Sequence, residues 1–180
     1  MAPLPLPHLV SADEFRDHWF DAAVDVYLQA MNRAPRHIPH RRELFRTHLS
    51  EPGWSAVVAG RPLAGFAYGF HCDSGQWWHD QVEPRLRAEY GQPAARAWLA
   101  NAYCLAELHV RPRWQGRGLG RALTWALLRD RAEETVLLST PERSSGARAF
   151  YAALGYTELL VGMGFVTSTD PYLVLGRRLR

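Results

Sequence analysis

Apolar residues recur along this chain with two periods, and the switches between them mark out its elements. Ser11-Ala12-Asp13-Glu14 has the spacing of a helix cap, and Phe15, Trp19, Ala23, Val26, Tyr27 and Ala30 follow at helical intervals, which predicts a helix to about Asn32. Pro39 opens a second helix through Leu44, Phe45 and Leu49, ended by Pro52-Gly53. Residues 54–58 and 63–70 then read as two antiparallel strands joined at Ala59-Gly60-Arg61-Pro62. The stretch 73–101 breaks the strand rhythm with Trp77, Trp78, Val82, Leu86, Tyr90, Ala97, Trp98 and Leu99, and predicts a Trp-rich helical insertion. A third strand over Ala102–Val110 leads into Gln115-Gly-Arg-Gly-Leu-Gly-Arg-Ala-Leu123, and the helix beyond is expected to bury Leu119, Leu123, Ala126 and Leu127. A short strand at 135–139 follows, then a helix over 144–154 with Ala147, Phe150, Tyr151 and Leu154 on one face and Gly155 closing it. Strands at 156–161 and 172–179 complete the pattern, which is that of a mixed α/β (α+β) chain with only its extreme N-terminus loose.

Composition narrows the picture. A chain of 180 residues, 47% hydrophobic and 22% charged, suits a single domain over 1–180 with a real core. The start, Met-Ala-Pro-Leu-Pro-Leu-Pro-His, lacks the basic opening and apolar run of a signal peptide, and no later segment has the length and apolarity of a bilayer span. A cytoplasmic protein with no membrane partner is therefore expected. Cys72 and Cys104 have no metal-ligand spacing, so buried free thiols are expected, with neither a disulfide framework nor a metal. All 21 basic residues are arginine. The net charge of +3 permits an acidic ligand, but the arginines are scattered between acids with no basic run alternating with aromatics, which argues against a nucleic-acid partner.

The three alternate glycines raise a chemical question. A helix N-terminus leaves its first amides without intrahelical acceptors and carries partial positive charge, so it suits phosphate oxygens, and glycines let the backbone approach such an anion. A plain glycine turn before a helix is the other reading, because a lone glycine motif is weak evidence. A P-loop needs Gly-Lys-Ser/Thr, and the chain has no lysine. The dinucleotide fingerprint needs a small residue where Arg121 or Leu123 stands.

The pattern that remains is Gln/Arg-x-x-Gly-x-Gly/Ala, matched by Gln115-Gly116-Arg117-Gly118-Leu119-Gly120 after the strand-turn Glu107–Pro112. Here the chain resembles the GNAT superfamily of acyl-CoA-dependent N-acyltransferases. Ala147-Arg-Ala-Phe-Tyr151-Ala-Ala-Leu-Gly155-Tyr156 resembles the family's second signature, in the expected order and with one strand between. The asparagine of that signature is Ser144 here, which can still cap a helix but leaves the amide's cofactor contact in question. The resemblance covers 54–180 well and the N-terminal helices loosely. It implies a GNAT fold, a mixed central sheet of about six to seven strands flanked by helices, with a splayed strand pair forming the acyl-CoA groove.

The resemblance also implies roles. Acetyl-CoA is the cosubstrate: the backbone of Leu108, His109 and Val110 lines its pantetheine arm, and one amide there can stabilise an oxyanion. Gln115, Gly116, Arg117, Gly118, Leu119, Gly120 and Arg121 hold its pyrophosphate, with Ser144, Ala147 and Tyr151 further along the cofactor. The expected reaction is direct attack of a primary amine, from a small molecule or a peptide, in a ternary complex. Glu107 stands where relatives place a carboxylate base, although a salt-bridged or backbone-satisfied glutamate fits as well. His109 shares its strand face and is the fallback base. Tyr151 stands beside the thioester sulfur in relatives, where it supports the leaving thiolate. Trp77, Trp78 and Asp80 are candidates for an aromatic and acidic acceptor site, against a lid packed on the sheet or a homodimer contact. Two other classes stay open: a non-catalytic acyl-CoA-binding sensor, and a drug- or toxin-sequestering protein using the Trp-rich insertion.

Overall fold

The computed structural model describes residues 3–166 and 168–179. In chain order the elements are β1 (Pro7–Val10), α1 (Ala12–Glu14), a π-helical turn (Phe15–Trp19), α2 (Phe20–Ala30) and α3 (Ile38–Leu49). Then come β2 (Ser55–Ala59), β3 (Gly65–Cys72), α4 (Trp77–Tyr90), α5 (Gln92–Leu99) and β4 (Ala102–Val110). The remainder is α6 (Leu119–Leu128), β5 (Thr135–Pro141), α7 (Ser145–Ala152), β6 (Thr157–Met163) and β7 (Tyr172–Arg178). This is an α+β arrangement of a seven-stranded mixed sheet flanked by helices, with the strand number that the resemblance implies. The chain divides into two compact units, residues 1–70 with 105–131, and residues 71–104 with 132–180.

In the first unit β1 and β3 flank β2, each antiparallel to it. Strand β1 is an element the sequence pattern did not predict. It is short and opens on Pro7, which is tolerated at the first position of an edge strand, and it pairs Leu9 with Val57. Alternation along β2 buries both faces: Ala56 and Val58 join the core under α2 and α3, while α6 packs onto β2 from its own elements. The core is aromatic. Phe15 meets Trp54, Phe66 and Tyr68 at 5.3–6.1 Å between ring centroids, and Phe45 of α3 meets Phe66 and Tyr68 at 5.9 and 5.5 Å. The Ser11 hydroxyl accepts from the Glu14 amide, as the cap predicts, but the first helix runs through a π-helical turn and ends at Ala30. In α6, Leu119, Leu123 and Leu127 are buried as expected, joined by Thr124 and Leu128, while Ala126 is half-buried.

In the second unit β5 pairs antiparallel with β7 along its whole length, from Thr135 with Arg178 to Pro141 with Tyr172, and β6 pairs with the other edge of β7. Strand β4 pairs in parallel with β5 at Ala102–Cys104 and Thr135–Leu137, consistent with a splayed pair. The stretch expected as a helical insertion forms two helices, α4 and α5, broken at Gly91. They are tied to the strands by the Tyr90 hydroxyl on the Leu159 carbonyl (2.7 Å) and the Thr135 hydroxyl on the Trp98 carbonyl (2.7 Å). Helix α7 ends with the Tyr156 amide bonded back to the Tyr151 carbonyl around Gly155. Cys72 and Cys104 are both buried, and neither is in a disulfide. Among the described residues no helix is long and apolar enough to cross a membrane, and no group of His, Cys, Asp and Glu could hold a metal ion.

Candidate active site

Strand alternation puts Glu107 and His109 on one face of β4, and that face of the first unit meets a polar stripe of α3. Glu107 is buried, with 9% of its side chain exposed, and both carboxylate oxygens are engaged. Oε1 accepts from Arg41 Nη1 at 2.6 Å, and Oε2 lies 2.5 Å from His109 Nε2. The second arm of Arg41, Nη2, donates to the Tyr27 hydroxyl at 2.6 Å, and the guanidinium carbon sits 3.7 Å from the Tyr27 ring centroid. The same ring stands edge-on to His109, 5.0 Å between centroids. Further along α3, His48 Nδ1 lies 2.8 Å from the hydroxyl of buried Tyr68.

Electrostatics separates the roles of these groups. Burial pushes the Glu107 carboxyl up, but the Arg41 guanidinium, with the His109 hydrogen bond and charge behind it, outweighs burial and leaves the carboxyl below 4.5. Glu107 is thus ionised and a weak base. Burial holds the His48 imidazole below 6.5, against the pull of nearby Glu107 and Glu51. When His109 donates Nε2–H to Glu107, its Nδ1 keeps a lone pair, and among the described residues Nδ1 has no hydrogen-bond partner. The arrangement offers a carboxylate-oriented imidazole for proton transfer.

Beyond β4 the backbone is shaped for an anion. Gly116 and Gly118 have φ of +68° and +90°, where side chains are disfavoured, and Gly118 is the residue preceding α6. A Cβ at Gly116 would meet nothing within 4 Å, and one at Gly118 only Leu4 Cδ1 at 3.9 Å. No side chain caps α6, so its first amides keep neither an intrahelical acceptor nor a side-chain cap. The loop is pinned from behind: Gln115 Nε2 donates to the Val110 carbonyl at 2.9 Å, and Arg117 lies over the Trp114 ring at 4.5 Å. Arg121 is exposed. A pyrophosphate group fits this cradle, because the space beside Gly116 and Gly118 is left open by the protein and their backbone can approach an anion without a Cβ in the way.

The other expected residues lie in the second unit. On α7, Ala147 and Tyr151 are half-buried, and the Tyr151 ring stands edge-on to Phe150 and Tyr156 at 5.1 and 5.2 Å. Ser144 occupies the capping position, but its hydroxyl makes no cap bond: its φ and ψ of −82° and 80° lie outside the usual cap geometry, which corrects that expectation. In α4, Trp78 Nε1 donates to the Ser139 hydroxyl at 3.1 Å, and Trp77, half exposed, stacks on Phe165 at 5.4 Å. Asp80 accepts from the Gly75 amide, which with His79 holds its carboxyl below 3.8.

A model of the acetyltransferase (GNAT) domain matches residues 56–158. The chain belongs to the GNAT acetyltransferase superfamily. This GNAT chain is also 35% identical over 186 aligned positions to a GCN5-like protein acetyltransferase of Mycobacterium tuberculosis, covering 87% of this chain and 90% of the relative. Its fold matches a GNAT-family crystal structure from Desulfovibrio desulfuricans with a TM-score of 0.68 at 18% identity, covering 97% and 99% of the two chains. It also matches a Salmonella typhimurium structure solved with its cofactor acetyl-CoA, with a TM-score of 0.64 at 13% identity over 99% and 95% of the chains. As a GNAT acetyltransferase the chain is an enzyme of a family that uses acetyl-CoA and acts on amines. Arg41, Tyr27 and His48 are the site residues that sequence reasoning missed. Arg41, Phe45 and His48 recur at helical intervals, so two polar residues share a stripe with a core phenylalanine, and that was the available signal.

Proposed function

We propose that this enzyme transfers an acetyl group from acetyl-CoA to a primary amine of a protein, with His109 and Glu107 handling the amine proton. The observation that carries this reading is the Glu107–His109 pair at 2.5 Å, with the buried carboxylate fixed by Arg41. Glu107 accepts Nε2–H, His109 Nδ1 takes the proton from the acceptor amine, and the imidazolium so formed is stabilised by the adjacent carboxylate. Amides of Gly116, Arg117, Gly118, Gly120 and Arg121 would hold the pyrophosphate, and the backbone of Leu108 to Val110 would line the pantetheine. Bound there, acetyl-CoA would supply an activated acetyl carbonyl and a thiolate leaving group. Tyr151 would donate its phenolic hydrogen bond to that sulfur. A protein acceptor is supported by the description of the Mycobacterium tuberculosis relative as a protein acetyltransferase.

Calorimetry of acetyl-CoA binding, followed by thiol release with lysine-containing and N-terminal peptides against a panel of small amines, tests the reading. Micromolar binding abolished by Gly118→Glu, with turnover on peptides, is expected. Absence of acetyl-CoA binding by the folded protein would overturn it, and turnover confined to small amines would overturn the protein acceptor.

A further inference from the structure

We propose that Arg41 is a positioning residue of the acetyl transfer: it keeps Glu107 a carboxylate, so that Glu107 accepts from His109 Nε2 and leaves the Nδ1 lone pair for the acceptor amine. This role rests on the reading of Glu107 and His109 as the proton-handling pair.

Arg41 reaches Glu107 from α3, 66 residues away in sequence, and its side chain is only 15% exposed. A guanidinium cannot deprotonate in a protein, so it is a permanent charge beside the carboxylate. Its planar fork is spent on two different partners, Glu107 Oε1 and the Tyr27 hydroxyl, both at 2.6 Å, which fixes its plane as well as its position. Tyr27 closes the arrangement by lying under the guanidinium and edge-on to His109.

The consequence is a choice of tautomer. Without Arg41 the carboxylate would be buried opposite no fixed positive charge, and burial favours the protonated acid. A protonated Glu107 donates to His109 Nε2 in place of accepting from it. The pair has then taken up one proton from solvent: one proton lies between Glu107 and Nε2, the other sits on Nδ1, and no lone pair faces the amine. The charged and titratable groups around this centre are Arg41 and His48 from α3, His109 from β4, Tyr27 from α2 and Tyr68 from β3. Only Arg41 among them is charged at every working pH.

Two readouts test the role. Long-range nitrogen NMR of the histidine rings reports the His109 tautomer without any substrate, with assignment by His109→Gln. The pH profile of kcat/KM reports the same pair during turnover. The wild type is expected as the Nε2–H tautomer at neutral pH. In Arg41→Gln and Arg41→Met the Nδ1–H form should grow in, and the acidic limb of kcat/KM should move up by about 1–3 pH units, the effect of removing a neighbouring opposite charge. Acetyl-CoA affinity should hold, and Arg41→Lys should return the limb toward wild type. A wild type already in the Nδ1–H form would overturn the proposal whatever the variants do. So would a folded Arg41→Gln with an unmoved tautomer and limb, provided His109→Gln and Glu107→Gln have lost turnover. Full turnover in those two variants would instead bring down the proton-handling reading itself.

Discussion

At Glu107, stability and chemistry make opposite demands, and substitution can separate them. Glu107→Leu leaves the Arg41 guanidinium buried without its carboxylate, and breaking a buried pair from one side costs about 3–5 kcal/mol. Glu107→Leu combined with Arg41→Met removes both charges and fills similar volume, so it is expected to unfold within about 1–2 kcal/mol of wild type. Urea denaturation checks the pair of values. Both proteins should nonetheless lose turnover by about 10²–10⁴-fold, the usual contribution of a positioned acid–base group. A double variant that stays active would mean that the carboxylate has no part in the chemistry. His109→Ala tests the other half: it should lower kcat by a similar factor with acetyl-CoA affinity unchanged, as single-turnover kinetics and calorimetry would register.

At the level of elements, the turn into α6 makes the sharpest claim. Because a Cβ at Gly116 would touch nothing in the protein, Gly116→Ala can cost stability only through its positive φ, on the order of 1 kcal/mol. Any loss of acetyl-CoA affinity in that variant must then come from the ligand side. About tenfold is expected, the equivalent of one amide hydrogen bond to a charged group, and calorimetry at matched folded fractions would measure it. An unchanged affinity would separate this turn from the pyrophosphate. This turn was legible in sequence because the glycine spacing and the apolar period of α6 are local. Strand β4 was legible to the residue for the same reason, nine residues of unbroken strand pattern bounded by Asn101 and Pro112. Strand β1 was not, since four residues beginning with proline carry no period, and only pairing with β2 makes them a strand. Glu107 and His109 were visible as neighbours on one strand face. Arg41 and Tyr27 were not, because nothing in the sequence of α3 announces a partner 66 residues away.

For the whole molecule, the buried titratable groups set a pH window of stability, and its two limbs belong to different units. In the first unit the folded-state value of His48 lies below its ordinary 6.5, so the unfolded chain takes up a proton there that the folded chain refuses. Stability is therefore full above 6.5 and falls as pH drops below it. Glu107, also depressed, adds to the fall below 4.5, where the unfolded carboxyl protonates first. In the second unit burial, with the charge of Asp73, pushes the Cys72 thiol from 9.0 to about 12, and burial also raises the Tyr156 hydroxyl. A raised acid is stable below its unfolded value, so this limb begins to fall as pH rises through 9.0. Each group contributes at most about 1.4 kcal/mol per pH unit across its window. Urea midpoints should thus be level between pH 7 and 8.5 and decline on both sides. His48→Asn should flatten the first part of the decline below 6.5 while leaving the alkaline limb alone. Cys72→Ala should flatten the first unit of pH above 9.0 and leave the acid limb alone. An acid limb that survives His48→Asn unchanged would assign it to the exposed carboxylates, and would remove His48 from the account of why the first unit needs neutral pH.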